Sequence, residues 1–97
     1  MSTSPHQAAH ITLVRTPACH FCHDAIERLA DLAAGTPLTV TTVEAESDRG
    51  RALIAEHRPA MAPLVLLDGE YFSAGRLPHK KLVKALALRA ASTRTGA

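Results

Sequence analysis

The sequence predicts a single α/β domain in which a mixed four-stranded sheet carries helices on both faces. Three observations support this: a length of 97 residues, a composition of 46% hydrophobic and 21% charged residues, and short β-branched segments that alternate with amphipathic ones. The predicted order of elements is βαβαββα. We expect the domain to span residues 10–90, with flexible tails at 1–9 and 91–97.

The first half of the chain has the pattern of a βαβ unit. Residues 10–15 are rich in β-branched side chains and predict the first strand, which Pro17 ends. Residues 20–34 predict a helix, with Gly35 as its C-terminal stop. Residues 36–43 predict a second strand, parallel to the first through a right-handed crossover. The predicted apolar face of the helix consists of Cys22, Ile26, Leu29, Ala30 and Ala33.

A short helix and a β-hairpin are predicted next. Ser47 is a suitable N-cap for a helix that runs to about Arg58. The apolar run 64–67 predicts a strand that is buried on both faces. Asp68-Gly69 predicts a two-residue turn into a returning strand at residues 70–74.

The last element is predicted to be a helix that follows a turn at Gly75. Pro78 suits its first turn. Its lysines, Lys80, Lys81 and Lys84, are expected on the solvent face. The predicted apolar face consists of Leu82, Val83, Leu86 and Ala90.

Composition and charge exclude several classes of function. The net charge is +2, and the 11 basic and 9 acidic residues are spread along the chain, whereas a nucleic-acid-binding domain concentrates basic residues on one face. Three aromatic residues are too few for stacking a single strand. The longest apolar run, residues 60–67, is far shorter than a membrane span. Because no signal peptide is recognised, we expect the protein in the reducing cytoplasm. We also expect a monomer.

The two cysteines, Cys19 and Cys22, lie at the start of the first predicted helix. They are too few for a disulfide framework, and a bridge between them would close too small a loop to stabilise the fold much. A helix N-terminus presents free N–H groups and favours the thiolate, the nucleophilic form of cysteine. Cys19 lies outside the apolar face and is expected to be accessible, while Cys22 is expected to be shielded. Dithiol exchange requires this asymmetry, with Cys19 as nucleophile and Cys22 as resolving cysteine.

The chain resembles the glutaredoxin-like proteins of the thioredoxin superfamily over residues 10–90. The resemblance rests on the Cys-x-x-Cys motif, Ala62-Pro63 before the third strand, the Asp68-Gly69-Glu70 hairpin and Gly75. It implies a thioredoxin-like (glutaredoxin) fold, with a cis bond between Ala62 and Pro63 beside the dithiol and a backbone at Ala62 that pairs with an incoming peptide. It also implies a thiol–disulfide oxidoreductase that reduces protein or low-molecular-weight mixed disulfides and binds no prosthetic group.

At several positions the sequence departs from the family pattern, and these departures leave the identity of the thiol partner open. His20-Phe21 replaces the usual proline and aromatic residue between the cysteines, and Met61 precedes Ala62-Pro63 where the family has Thr-Val-Pro. The candidates for contacting a substrate or a thiol cosubstrate are Arg15, Phe21, Ala62, Pro63, Gly75 and Arg76. Glutathione, another low-molecular-weight thiol and a thioredoxin-reductase-type protein all stay open as electron donors.

Other interpretations use the same cysteines. The run Cys19–His23 matches the haem attachment motif, with Met61 as an axial ligand, although the flanking strands and scarce aromatic residues disfavour a haem protein. A metal or iron–sulfur cluster module on the same fold, bound through Cys19, is the main alternative, and a redox sensor is another. A zinc site would need histidines that folding brings to the cysteines, and the candidates are His20, His23, His57 and His79.

Overall fold

Seven elements follow one another in the predicted βαβαββα order. A computed structural model describes the backbone of residues 8–96 and the side-chain surroundings of residues 8–89. The elements are β1 (Ala9–Arg15), α1 (His20–Gly35), β2 (Leu38–Glu44), α2 (Asp48–His57), β3 (Leu64–Leu67), β4 (Glu70–Ala74) and α3 (His79–Gly96).

Both ends of the domain extend beyond the predicted boundaries. β1 begins at Ala9, which is buried, so this residue belongs to the sheet and not to the predicted tail 1–9. α3 continues to Gly96, so residues 91–96 extend the last helix where a separate tail is predicted. The rest of the two predicted tails, residues 1–7 and 97, lies outside the described residues.

The end of α1 differs in detail from the prediction. Gly35 is the last residue of the helix, and it is not among the described glycines with positive φ. Thr36 caps the helix in an extended conformation, with φ −136° and ψ 136°. The physical stop is Pro37, because a proline disfavours the helical conformation of the residue before it. β2 therefore begins at Leu38, two residues later than predicted.

The four strands form one mixed sheet in the order β2-β1-β3-β4. β1 pairs in parallel with β2, in a register that places Arg15 opposite Glu44. β1 also pairs antiparallel with β3, so Val14 at the end of β1 lies opposite Leu64 at the start of β3. This pairing brings the segment before β3 next to the β1–α1 connection, where the cysteines lie.

Two apolar clusters lie on opposite faces of the sheet. On one face, α1 and α3 cover alternate residues of the central strands, including Ile11, Leu13 and Val65. On the other face, α2 covers Val14 and Leu64. β3 is buried on both faces, as its continuous apolar run predicts. The predicted thioredoxin-like arrangement, with helices on both faces, is confirmed.

Two predicted helix faces require correction. In α1 the structure buries Ala25 together with Cys22 and Leu29, whereas Ala30 and Ala33 are exposed. The small alanines distinguish the two sides of this helix poorly, because each contributes little apolar area. In α3, Leu82 and Leu86 are buried as predicted, but Val83 is 43% exposed. The Ala90 side chain lies outside the described residues.

None of the helices described between residues 8 and 96 is both long and apolar enough to span a membrane.

Candidate dithiol site

The β1–α1 connection places the two cysteines at the first turn of α1. Ala18 adopts a left-handed conformation, with φ 53°, and turns the chain from the strand into the helix. Cys19 is the N-cap residue, and its Sγ accepts a hydrogen bond of 3.1 Å from the backbone N–H of Cys22. The cysteines are joined as a disulfide, with their Cα atoms 5.2 Å apart.

Burial differs between the two sulfur-bearing residues. Cys19 is half-buried at the N-cap, while Cys22 is 1% exposed and lies among the buried residues of α1. This is the asymmetry that the helical spacing predicts. A reduced Cys19 would keep the Cys22 N–H as a donor to its sulfur, and such a donor stabilises a thiolate. The site can therefore supply a nucleophilic sulfur at the surface and a second sulfur beneath it.

The segment that precedes β3 lies beside this turn. The Ala62–Pro63 peptide bond is cis, as the family resemblance implies. The carbonyl oxygen of Pro63 accepts a 3.0 Å hydrogen bond from the backbone N–H of Gly75. Gly75 is buried and has φ +87°, a conformation that favours glycine. Pro63 and Gly75, two predicted site residues from separate segments, are thus held together.

An apolar groove borders the cis proline on the α2 side of the sheet. Its cavity has a volume of about 220 Å³ and is lined by Ile54 of α2 and by Met61, Ala62 and Leu64, among others. Met61 is 53% exposed. Ala62, predicted to pair with an incoming peptide, therefore borders an open apolar surface, on which a peptide would find both backbone and side-chain contacts.

Arg15 and Phe21 flank the cysteines along the chain. Arg15 lies 3.8 Å from the Glu44 carboxylate, and its Nε is buried without a hydrogen-bond partner. Its side chain as a whole is 40% exposed, which leaves it able to contact an anionic group. Phe21 is 37% exposed, and its ring centroid lies 6.1 Å from that of His20. Both side chains are thus partly exposed on either side of the cysteines in the chain.

Arg76 lies beside a different cavity, between α1 and the start of α3. This cavity, of about 440 Å³, also has Arg28, Lys80 and Lys81 in its lining, together with Asp24. Sequence reasoning did not single out Asp24 or Arg28. It predicted Lys80 and Lys81 on the solvent face of α3, and both are exposed. The sequence does carry a signal for Asp24 and Arg28. They begin two residues after Cys22 and have the i, i+4 spacing of an ion pair on one face of a helix.

Metal-ligating side chains are not gathered at the cysteines. Across the described part of the chain, no three or more His, Cys, Asp or Glu side chains converge as a metal site would require. His23 instead lies 3.0 Å from the Glu27 carboxylate. His57 packs near Tyr71, with 6.4 Å between the ring centroids. Among the described residues, the four candidate histidines form no such group with the cysteines.

Comparison with known proteins places the fold and the family. The solution structure of a thioredoxin from Thermus thermophilus superposes with a TM-score of 0.54 and 17% sequence identity, covering 88% of this chain and 75% of that one. No curated protein matches the sequence. Residues 2–62, more than half of the chain, match the family model that describes the C terminus of the coenzyme F420 hydrogenase/dehydrogenase beta subunit. The chain has a thioredoxin-like fold with a Cys-x-x-Cys pair, and it belongs to this family, named for the C terminus of the coenzyme F420 hydrogenase/dehydrogenase beta subunit.

Proposed function

We propose that this protein is a glutaredoxin-like thiol–disulfide oxidoreductase that reduces protein or low-molecular-weight mixed disulfides. The observation that supports it best is the pairing of a half-buried Cys19 at the N-cap of α1 with a buried Cys22 within disulfide reach. A purely structural bridge would close only a very short loop, from which little stabilisation is expected.

The reaction begins with the reduced dithiol. The Cys19 thiolate attacks one sulfur of the substrate disulfide, and the S–S bond breaks as the first substrate thiolate leaves with the bonding electron pair and takes up a proton. Cys22 then loses its proton and attacks the Cys19 sulfur of the mixed disulfide. The second substrate thiol is released, and the protein holds the Cys19–Cys22 disulfide. Two electrons have passed to the substrate.

The surrounding residues have separate roles in this scheme. The Cys22 N–H and the N-terminus of α1 stabilise the Cys19 thiolate. The Ala62 backbone and Pro63 form the groove for the substrate chain, and Phe21 contacts it. Arg15 offers a cation to a carboxylate of the thiol cosubstrate. Gly75 and Arg76 are the other residues proposed to contact this cosubstrate.

The electron donor in this proposal is glutathione or another low-molecular-weight thiol. Two thiol equivalents reverse the exchange steps at Cys19 and leave as their own disulfide. A thioredoxin-reductase-type protein could supply the same two electrons. We place the reaction in the cytoplasm, where such donors keep thiols reduced, and we expect a monomer to be sufficient.

The family description names a coenzyme, F420, for which the groove beside the cis proline offers little room. Within residues 2–62 the sequence has one aromatic side chain, Phe21. The groove built largely from this segment has a volume of about 220 Å³, below the ~300–1,000 Å³ of typical ligand pockets. We therefore assign no step to coenzyme F420 in this chain, and the family description supports only a general link to redox enzymes.

The test of the proposed function uses the cysteine variants. The reduced wild type, Cys19→Ser and Cys22→Ser are incubated with a low-molecular-weight disulfide, and the intact masses are followed. We expect Cys22→Ser to accumulate a mixed disulfide on Cys19, Cys19→Ser to stay unmodified over the same period, and the wild type to form its internal disulfide.

A lack of exchange at both cysteines would contradict an oxidoreductase. Elemental analysis and an absorption spectrum of the same wild-type preparation test the main alternative. Stoichiometric metal or an iron–sulfur chromophore that is lost in Cys19→Ser would support a metal or cluster module.

A further inference from the structure

The cavity between α1 and α3 is strongly cationic. Four Lys and Arg side chains line it, and Asp24 is the one carboxylate among its lining residues. Asp24 is already engaged, because one of its carboxylate oxygens lies 3.5 Å from the Arg28 Nε. We call this feature the cationic cleft. Its basic residues are Arg28, Arg76, Lys80 and Lys81.

The protein itself leaves most of this positive charge unbalanced. Among the described residues, Arg76, Lys80 and Lys81 take part in no ion pair. Lys81 is exposed, and its Nζ lies 5.2 Å from the centroid of the Phe72 ring. A cleft lined by charges of one sign attracts ligands of the opposite sign and raises their rate of association.

The cleft and the dithiol share α1. Asp24 lies two residues after Cys22, and Arg28 lies one turn farther along α1, so Arg28 is about 9 Å along the helix axis from Cys22. On the opposite wall, Arg76 follows Gly75, which is hydrogen-bonded to Pro63. The substrate cysteine bonds to Cys19, which lies nine residues before Arg28, about 13 Å along the axis of α1. An extended peptide covers about 3.3 Å per residue, so about four residues span that axial distance.

We propose that the cationic cleft selects disulfide substrates in peptide segments that carry Asp or Glu within about four residues of the attacked cysteine. This inference rests on the proposed function. The cations come from three segments, Arg28 from α1, Arg76 from the β4–α3 connection, and Lys80 and Lys81 from α3, and they line the cleft together with Leu77 and Pro78. Such spacing suits successive side chains of an acidic peptide better than one compact anion, which needs converging donors.

The test compares two peptides that form the same mixed disulfide. They differ only in carrying two Glu or two Gln residues at the third and fourth positions from the cysteine. Rate constants for their reduction by the reduced protein are measured at low and at high ionic strength. We expect the acidic peptide to react about tenfold faster at low ionic strength, with an advantage that shrinks as salt screens the charges.

Matched double variants locate the effect. Arg76→Gln with Lys80→Gln removes two charges from the cleft, and we expect it to lower the ratio of the two rate constants toward one. Arg49→Gln with Lys84→Gln removes two exposed charges that do not line the cleft, and we expect it to keep the wild-type ratio. A ratio that falls equally in both variants would overturn the assignment to the cleft.

Two further outcomes separate this inference from the function on which it rests. If the wild type reduces both peptides at equal rates, the charge selection is wrong and the oxidoreductase function stands. If the wild type reduces neither peptide, the proposed function fails, and the inference fails with it.

Discussion

Met61 and Gly75 meet beside the cis proline and show how single residues shape the groove. A Cβ atom on Gly75 would lie 3.2 Å from the Met61 Sδ and 3.3 Å from the Met61 Cβ. The absence of a side chain at Gly75 therefore lets Met61 lie over the turn that holds Pro63. Sequence reasoning predicted the turn at Gly75, but it considered Met61 only as a departure from the family pattern and as a haem ligand.

Gly75→Ala is expected to destabilise the fold more than Gly69→Ala. Both glycines have φ +87°, so each substitution incurs the left-handed penalty of about 1–2 kcal/mol. A Cβ at Gly69 meets nothing within 4 Å, whereas at Gly75 it crowds Met61. The free energies of unfolding from urea titrations measure the difference. Equal losses in the two variants would show that Met61 gives way without cost.

At the scale of the element, α1 and α2 begin with different kinds of cap. In α2, Ser47 Oγ accepts a 3.0 Å hydrogen bond from the Gly50 N–H, which confirms the cap that the sequence predicts. In α1, the sulfur of Cys19 occupies the equivalent position. One cap therefore serves the stability of its helix, while the other places a reactive atom at a helix N-terminus.

Ser47→Ala is expected to lower the free energy of unfolding by about 1 kcal/mol, because the Gly50 N–H loses its acceptor. Ser47→Asn keeps a side-chain acceptor that suits an N-cap, so we expect it to retain most of the stability. Urea titrations of the two variants and the wild type make the comparison. A loss in the asparagine variant as large as in the alanine variant would argue against capping.

At the scale of the whole molecule, Asp68 joins three distant parts of the chain. Its carboxylate accepts a 3.0 Å hydrogen bond from the His10 N–H in β1 and forms an ion pair with Arg89 in α3. Arg89 also donates a hydrogen bond to the carbonyl oxygen of Ala8. The turn between β3 and β4 is thereby tied to the start of the sheet and to the last helix.

Two substitutions at Asp68 separate its contributions. Asp68→Asn keeps an acceptor for the His10 N–H but removes the charge opposite Arg89, and since the pair is partly exposed we expect a loss of up to about 1 kcal/mol. Asp68→Ala removes the acceptor as well and is expected to lose about 1 kcal/mol more. Urea titrations at low and high salt test both values. A loss in the asparagine variant that does not diminish in high salt would contradict an ionic contribution.

By itself the sequence determined the order of the elements, the Ser47 cap, the hairpin at Asp68-Gly69 and the unequal burial of Cys19 and Cys22. These features depend on residues within a few positions of one another, so local spacing and turn chemistry are enough to predict them. The side of α1 that faces the sheet was predicted only in part, because alanines on either side of a helix differ little in the apolar area that they bury.

Only the tertiary structure decided which distant residues meet. It brought Pro63 to Gly75, Asp68 to His10 and Arg89, and the α1 wall of the cationic cleft to the α3 wall. The basic residues are spread along the sequence, yet the packing of α1 and α3 on one face of the sheet gathers four of them around a single cleft. The physical reason is that crossovers and strand pairing set these contacts, and no local spacing in the chain encodes the distance between two helices.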